Sequence, residues 1–154
     1  MEIWFYHLTR QPLEKALPRL IERSLSRGWR AVVQTRDEAR VPAIDDLLWT
    51  YADDSFLAHG AARDGDASMQ PVYLTAGAET PNGAKVRFFI DGAEIAPVAA
   101  LPEAAEYERF LFLFDGADEE TLAAARAQWK ALKEQGRDLS YWKQGDTGGW
   151  EKIA

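Results

Sequence analysis

Two hydrophobic patterns alternate along the chain. Short runs of β-branched and aromatic residues at 2–7 (EIWFYH), 30–34, 72–75, 86–90 and 109–114 (RFLFLF) read as strands. Between them, Leu13, Ala16, Leu17, Leu20, Ile21 and Leu25 recur at helical spacing. They predict a helix capped by Thr9, kinked or restarted at Pro18, and stopped by a left-handed Gly28. A second helical stretch runs from Arg36 through Ile44, Leu47 and Leu48 to Trp49, with Pro42 near its first turns. A third is capped by Asp118 and continues to about Gln135, where Gly136 ends it.

Ala31, Val32 and Val33 follow one another without polar alternation, as a parallel strand covered on both faces requires. With the strand and helix before it, this run makes a right-handed βαβ unit. Residues 76–84 contain Gly77, Pro81, Asn82 and Gly83, which predicts a hairpin turn joining 72–75 to 86–90. Residues 63–70 read as a surface connection, and 97–107 as little more than a helical turn near Glu103. The expected fold is a three-layer, Rossmann-like single α/β domain over 1–144, with a mostly parallel central sheet flanked by helices. A C-terminal tail at 145–154 follows; Tyr141, Trp142 and Trp150 lie back on the domain, and 145–149 is mobile.

Composition narrows the classes of function. With 154 residues and 47% apolar content, the chain fits one core. It has no cysteine, which excludes disulfides and thiol nucleophiles and points to the cytoplasm. The opening MEIWFYHLTR lacks a leader pattern and no apolar run approaches about 18 residues, so no membrane partner is expected. A net charge of −7 argues against a broad basic surface for duplex DNA. Neither G-x-x-x-x-G-K-[ST] nor G-x-G-x-x-G occurs, and no cofactor is implied. A zinc site would need His7 and His59, 52 positions apart, together with carboxylates, and no metal is expected.

Residues 47–60 (LLWTYADDSFLAHG) concentrate more large apolar side chains than a loop ordinarily holds. Asp53, Asp54, Ser55, His59 and Gly60 read as a structural turn, with Asp53, Asp54 and Ser55 bonding backbone amides, and Asp45 and Asp46 read as a solvated helix face. The same residue types occur in hydrolase triads, so a small hydrolase or nuclease using Asp53, Asp54 and His59 is a rival reading. Trp49 and Phe56 are either core or interface anchors, since aromatics concentrate at binding hot spots. On the last helix Arg126, Lys130, Lys133 and Arg137 are spaced four, three and four, and fall along one stripe bordered by Trp129. Cations there either complement the helix dipole or dock an acidic peptide whose apolar terminus packs on the indole. A second rival is direct binding of single-stranded nucleic acid by this stripe and the tail aromatics.

The pattern LW-x(3)-DDSFLxHG, carried by Leu48, Trp49, Asp53, Asp54, Ser55, Phe56, Leu57, His59 and Gly60, resembles the chi subunit family of bacterial DNA polymerase III. The similarity extends over nearly the whole chain, through Phe5 and Tyr6, the Gly28-Trp29-Arg30 turn, and the helix from Asp118 to Gly136. Ala58 stands where the family often has proline, and Leu122 where it can have a basic residue. The resemblance implies a non-catalytic, monomeric adaptor that is an accessory subunit of a DNA-directed DNA polymerase and meets DNA only indirectly. Trp49 and Phe56, with Tyr51 and Leu57 on the same patch, would bind the psi subunit of the clamp loader. Arg126, Trp129 and Lys130, with Lys133 and Arg137, would hold the acidic C-terminal tail of single-stranded-DNA-binding protein.

Overall fold

The structure, a computed structural model, describes residues 1–50, 58–145 and 149–154. In chain order the elements are β1 (Glu2–Leu8), α1 (Leu13–Ser26), β2 (Ala31–Gln34), α2 (Val41–Thr50), β3 (Gly60–Ala61), β4 (Val72–Thr75), β5 (Val86–Phe89), α3 (Ala96–Ala99), β6 (Arg109–Asp115), α4 (Glu119–Glu134), β7 (Leu139–Gln144) and β8 (Trp150–Lys152). Among the described residues one eight-stranded sheet has the order β3-β4-β2-β5-β6-β1-β7-β8. Every pairing is parallel except that of β7 with β8. The three-layer α/β expectation holds. One core lies under α1 and α2, around Tyr6, Leu17, Ile21, Ile44 and Phe88; the other lies under α4, around Ile3, Phe5, Phe110 and Phe112.

The strand runs are apolar because both faces are covered: β2, β4 and β5 are buried at every position. β1 is central too, with Phe5 opposite Phe112 on one side and Tyr141 on the other. Its parallel relation to β2 is as expected, although β5 and β6 lie between them.

Three local expectations are corrected. Thr9 does not cap α1, which begins after Pro12. Its hydroxyl instead donates to the Gln144 carbonyl at 2.9 Å, and the buried Gln144 Oε1 accepts from the amides of Thr9, Arg10 and Gln11 at 3.4, 2.8 and 3.0 Å. A distant side chain thus satisfies three successive amides that lead into α1. Pro18 does not interrupt α1, since its ring is buried and its missing amide removes a single helical bond. Gly28 ends the helix as expected at φ +81°, with its amide bonding Leu25 and that of Trp29 bonding Ser24, the Schellman pair.

The third correction is topological. β4 and β5 do not form a hairpin; both lie parallel to β2, on opposite sides of it. Residues 76–85 therefore cross the sheet end without a helix, and their carbonyls need other partners. Arg87, on β5 and fully buried, supplies them. Its Nη2 donates to Gly77 O at 2.6 Å, its Nη1 to Glu79 O at 3.0 Å and the Tyr107 hydroxyl at 3.2 Å, and its Nε to Gln34 Oε1 at 2.8 Å. Asn82 fastens the far end through Nδ2 to Ala31 O and Gln70 O. Glu79 Oε2 accepts from both Tyr73 and Thr75 hydroxyls. Burial and then the Glu79 bond push Tyr73 up to about 12; burial raises the Glu79 carboxyl, but its hydrogen bonds and Arg87 outweigh that and leave it low.

The segment after Arg137 joins the sheet as β7 and β8, and Trp142 and Trp150 pack on the α1 side, Trp150 stacked on Tyr6 at 4.3 Å. Of the glycine-rich stretch 145–149, residues 146–148 lie outside those described.

Replacing Arg87 with methionine keeps the bulk but leaves four oxygen acceptors facing a hydrocarbon. We expect a loss of at least about 4 kcal/mol in urea unfolding, because each of the four stranded buried acceptors costs roughly 1–3 kcal/mol. A loss under about 1 kcal/mol would show that the crossover is held by other contacts.

Candidate partner-binding site

α4 forms where it does because Asp118 accepts from the Glu120 amide at 3.2 Å and from the Thr121 hydroxyl at 2.7 Å. Ala125 and Leu132 turn into the core, so Arg126, Lys130 and Lys133 are turned to solvent. Among the described residues none of these three cations forms an ion pair. Trp129 is half-buried at the edge of this face, its ring packed edge-on against Phe5 at 5.2 Å and Tyr141 at 5.7 Å. Leu122 is half-buried nearby.

Arg137 does not continue the stripe. The helix ends at Glu134, the chain turns left-handed at Gly136 (φ +75°), and the Arg137 guanidinium donates to Ala99 O at 3.3 Å. It fastens α3 to the domain.

The fold adds residues that the sequence reading left out. His7, at the end of β1, hydrogen-bonds the Tyr141 hydroxyl through Nδ1 at 2.7 Å and packs on Phe114 at 5.0 Å. A Cβ on Gly116 would overlap the His7 ring, so glycine is required there for close packing. Burial first, then Lys143 and Arg126, hold the His7 pKa below its ordinary 6.5, against the opposing pull of Asp115. Burial raises Tyr141 while Arg126 lowers it. The field of Arg126 therefore reaches both rings. Lys143 sits beside His7 in the β1–β7 register and extends the positive surface across the strand ends.

On α2, Trp49 is 51% exposed, a large fraction for an indole, so it is not a core residue. Its ring leans on the His59 imidazole at 4.7 Å. The His59 side chain is completely buried and its Nε2 lies 2.8 Å from Asp45 Oδ1, while Arg63 reaches the other Asp45 oxygen at 3.2 Å. Asp45 is thus a bracket between α2 and the segment after the motif, not the solvated position its sequence context suggests; Asp46 is exposed as expected. Gly60 begins β3, where a Cβ would meet the Gln70 side chain at 2.7 Å. Tyr51, Asp53, Asp54, Ser55, Phe56 and Leu57 lie outside the described residues.

The crevice at the carboxyl ends of the strands, where Rossmann-like sheets hold nucleotides, measures about 390 Å³. Its walls carry Glu14, Asp91, Asp115 and Glu120 against Arg36 and Arg40, and Arg40 is already engaged with Asp91 at 2.7 Å. Phosphate groups would meet a net negative wall there. Among the described residues no three potential ligands gather as a metal site, and no helix is long and apolar enough to cross a membrane.

Sequence similarity over the whole domain gives the class, an accessory subunit of a DNA polymerase complex. The profile of the family described as DNA polymerase III chi subunit, HolC, matches residues 1–140. A probable DNA polymerase III subunit chi from Rickettsia prowazekii (strain Madrid E) is 28% identical over 150 residues, spanning 97% of this chain and 90% of that protein. The chain belongs to the DNA polymerase III chi subunit family, and with it to a replicase complex that acts in DNA replication.

His7 makes this face sensitive to pH. Its folded pKa is lowered, so between that value and 6.5 the unfolded chain binds more protons than the folded one. The contribution of neutral His7 is complete above 6.5 and is lost as pH falls toward the folded pKa. We expect His7→Gln to flatten the dependence of unfolding free energy on pH below 6.5. An unchanged slope would assign the acid sensitivity to other groups.

Proposed function

We propose that the protein is a non-catalytic adaptor with two separate docking faces. The face around Trp49 binds the psi subunit of the clamp loader, and the face of Arg126, Trp129 and Lys130 binds the acidic C-terminal tail of single-stranded-DNA-binding protein. The observation that carries the second assignment is a cationic helix face that forms no ion pair among the described residues, beside a half-buried indole, in a chain of net charge −7. Carboxylates of a tail would meet guanidinium and ammonium groups, and a terminal apolar side chain would pack along the Trp129 ring. Lys133 lies one turn on and extends the face; Lys143 and His7 border it. The exposed indole of Trp49, poised on a fixed imidazole, has the character of an interface anchor.

The two faces lie on different layers, since α2 covers one side of the sheet and α4 the other. A rigid body with one partner on each side acts by tethering, raising the effective concentration of the loader near coated single strands. Polymerase chemistry belongs to other subunits. The hydrolase alternative has less support, because a completely buried His59 already engaged with Asp45 offers no open imidazole to a substrate.

Calorimetric titration with the C-terminal peptide of the cognate single-stranded-DNA-binding protein tests the tail site. Binding should weaken with added salt, and Arg126→Ala should reduce affinity about ten- to hundredfold, the worth of a charge-assisted bond. Binding indifferent to salt and to Arg126→Ala would reject it. Trp49→Ala should abolish psi capture while leaving the tail titration unchanged. Loss of both together, with altered circular dichroism, would instead make Trp49 a structural residue.

A further inference from the structure

A second cationic surface lies under α1, on the opposite side of the sheet from α4. Arg19 and Arg23 on α1 and Arg27 at its C-terminal cap follow one another at intervals of four and are all exposed. That spacing places them along one helix face, about 6 Å apart in rise. Two hollows flank this row and share Leu20 and Arg23. One, of about 120 Å³, is bordered by Arg27, Arg109 and Trp29; the other, of about 380 Å³, by Arg19 and Trp150. The result is a continuous groove with four arginines along it and an indole at each end.

Three observations separate this groove from an ordinary solvated helix face. No aspartate or glutamate lines either hollow among the described residues, although the chain has 25 of them and the strand-end crevice holds four. Arg109 is ion-paired at 3.8 Å with Glu2, a residue outside the lining of either hollow. The guanidinium groups are also organised on aromatic rings: Arg109 sits 3.7 Å from the Trp4 ring and 5.6 Å from that of Trp29, and Arg27 lies 5.2 Å from Trp29. Finally, buried donors on two residues lining the smaller hollow, Arg109 Nε and Trp4 Nε1, find no acceptor among the described residues. Unpaired buried donors are uncommon and mark the wall of this hollow as short of acceptors.

We propose that this groove is a track for single-stranded DNA. Backbone phosphates lie against Arg19, Arg23, Arg27 and Arg109, and bases stack at the half-buried indoles of Trp29 and Trp150. A linear row of cations suits a chain of evenly spaced anions. The planar side chains at its ends suit a ligand that also carries planar groups, the combination used by proteins that bind single strands without sequence preference. Duplex DNA fits less well, because the strip is one helix wide and the chain as a whole carries a net charge of −7. This contact is independent of the α4 face, and it would give the adaptor a direct hold on the strand whose coating protein it is proposed to bind.

The test is fluorescence anisotropy of a labelled oligothymidylate of about 15 nucleotides, within the site size of compact single-strand binders, titrated with the full chain at low salt. Binding should weaken linearly in log salt, by about 0.7 log unit per phosphate engaged. Arg23→Gln combined with Arg27→Gln should weaken it at least about tenfold. Both residues are exposed, so the fold should survive, which circular dichroism checks. Arg126→Ala combined with Lys130→Ala should leave oligonucleotide affinity unchanged. Absence of binding by wild type, loss of binding in the α4 variant alone, or displacement of the oligonucleotide by polyglutamate at equal charge concentration would each overturn the proposal, the last in favour of an acidic peptide site.

Discussion

A guanidinium buried in the middle of a parallel sheet must be surrounded by oxygen, and the organisation of this domain follows from how Arg87 meets that requirement. Parallel neighbours need a connection that returns across the sheet, ordinarily a helix whose backbone satisfies itself. Between β4 and β5 the chain has ten residues and no helix, so the carbonyls of Gly77 and Glu79 are bonded by Arg87 instead. Gln34 on β2 and Tyr107 before β6 complete the shell, which ties three consecutive strands and the loop into one unit. With that crossover fixed, β2 is enclosed between β4 and β5, and β6 and β1 follow in register.

The same economy recurs at the other end of the sheet. Gln144, at the end of β7, gathers three successive amides ahead of α1, so the last part of the chain fixes where the first helix starts. β1 is therefore held on both sides, by β6 and β7, and His7 and Tyr141 meet at the border of the α4 face. The candidate tail site is thus a property of the assembled sheet. Its cations come from one helix, but the floor beneath Trp129 is built from β1 and β7.

What could be read from the sequence was what local periodicity encodes. Apolar runs such as RFLFLF and the spacing of Leu17, Leu20 and Ile21 mark buried elements whatever their neighbours, and the α4 cations were visible because helical spacing alone sets their direction. Three of the errors, at residues 76–84, Thr9 and Asp45, share one cause, which is that a partner lay far away in the chain. The turn composition of 76–84 is as suitable for a crossover as for a hairpin, and only the position of β2 decides between them. Thr9 has the right chemistry for a cap, but its hydroxyl is committed to the carbonyl of Gln144, 135 positions later. Asp45 looked solvated because nothing nearby in sequence announces His59. One usable signal was overlooked: EIWFYH is apolar on both faces, so β1 needed neighbours on both edges, and the aromatic run after α4 was available to supply one. Arg137 was assigned to the α4 stripe by periodicity, yet Gly136 had already ended the helix.

Two cationic surfaces lie on opposite layers of an acidic domain, with an exposed indole at a third position, and the proposed adaptor role rests on these three. The central claim is that the acidic tail chooses the α4 face. The chain's six tryptophans make this directly observable, because each indole N–H gives its own resonance in a heteronuclear NMR titration with the tail peptide. The account predicts progressive shifts for the Trp129 indole and for the backbone amides of residues 126–133, with Trp49, Trp4 and Trp29 unmoved. Shifts centred on Trp4 and Trp29 would contradict it by placing the tail in the α1 groove, and shifts centred on Trp49 would contradict the separation of the two faces.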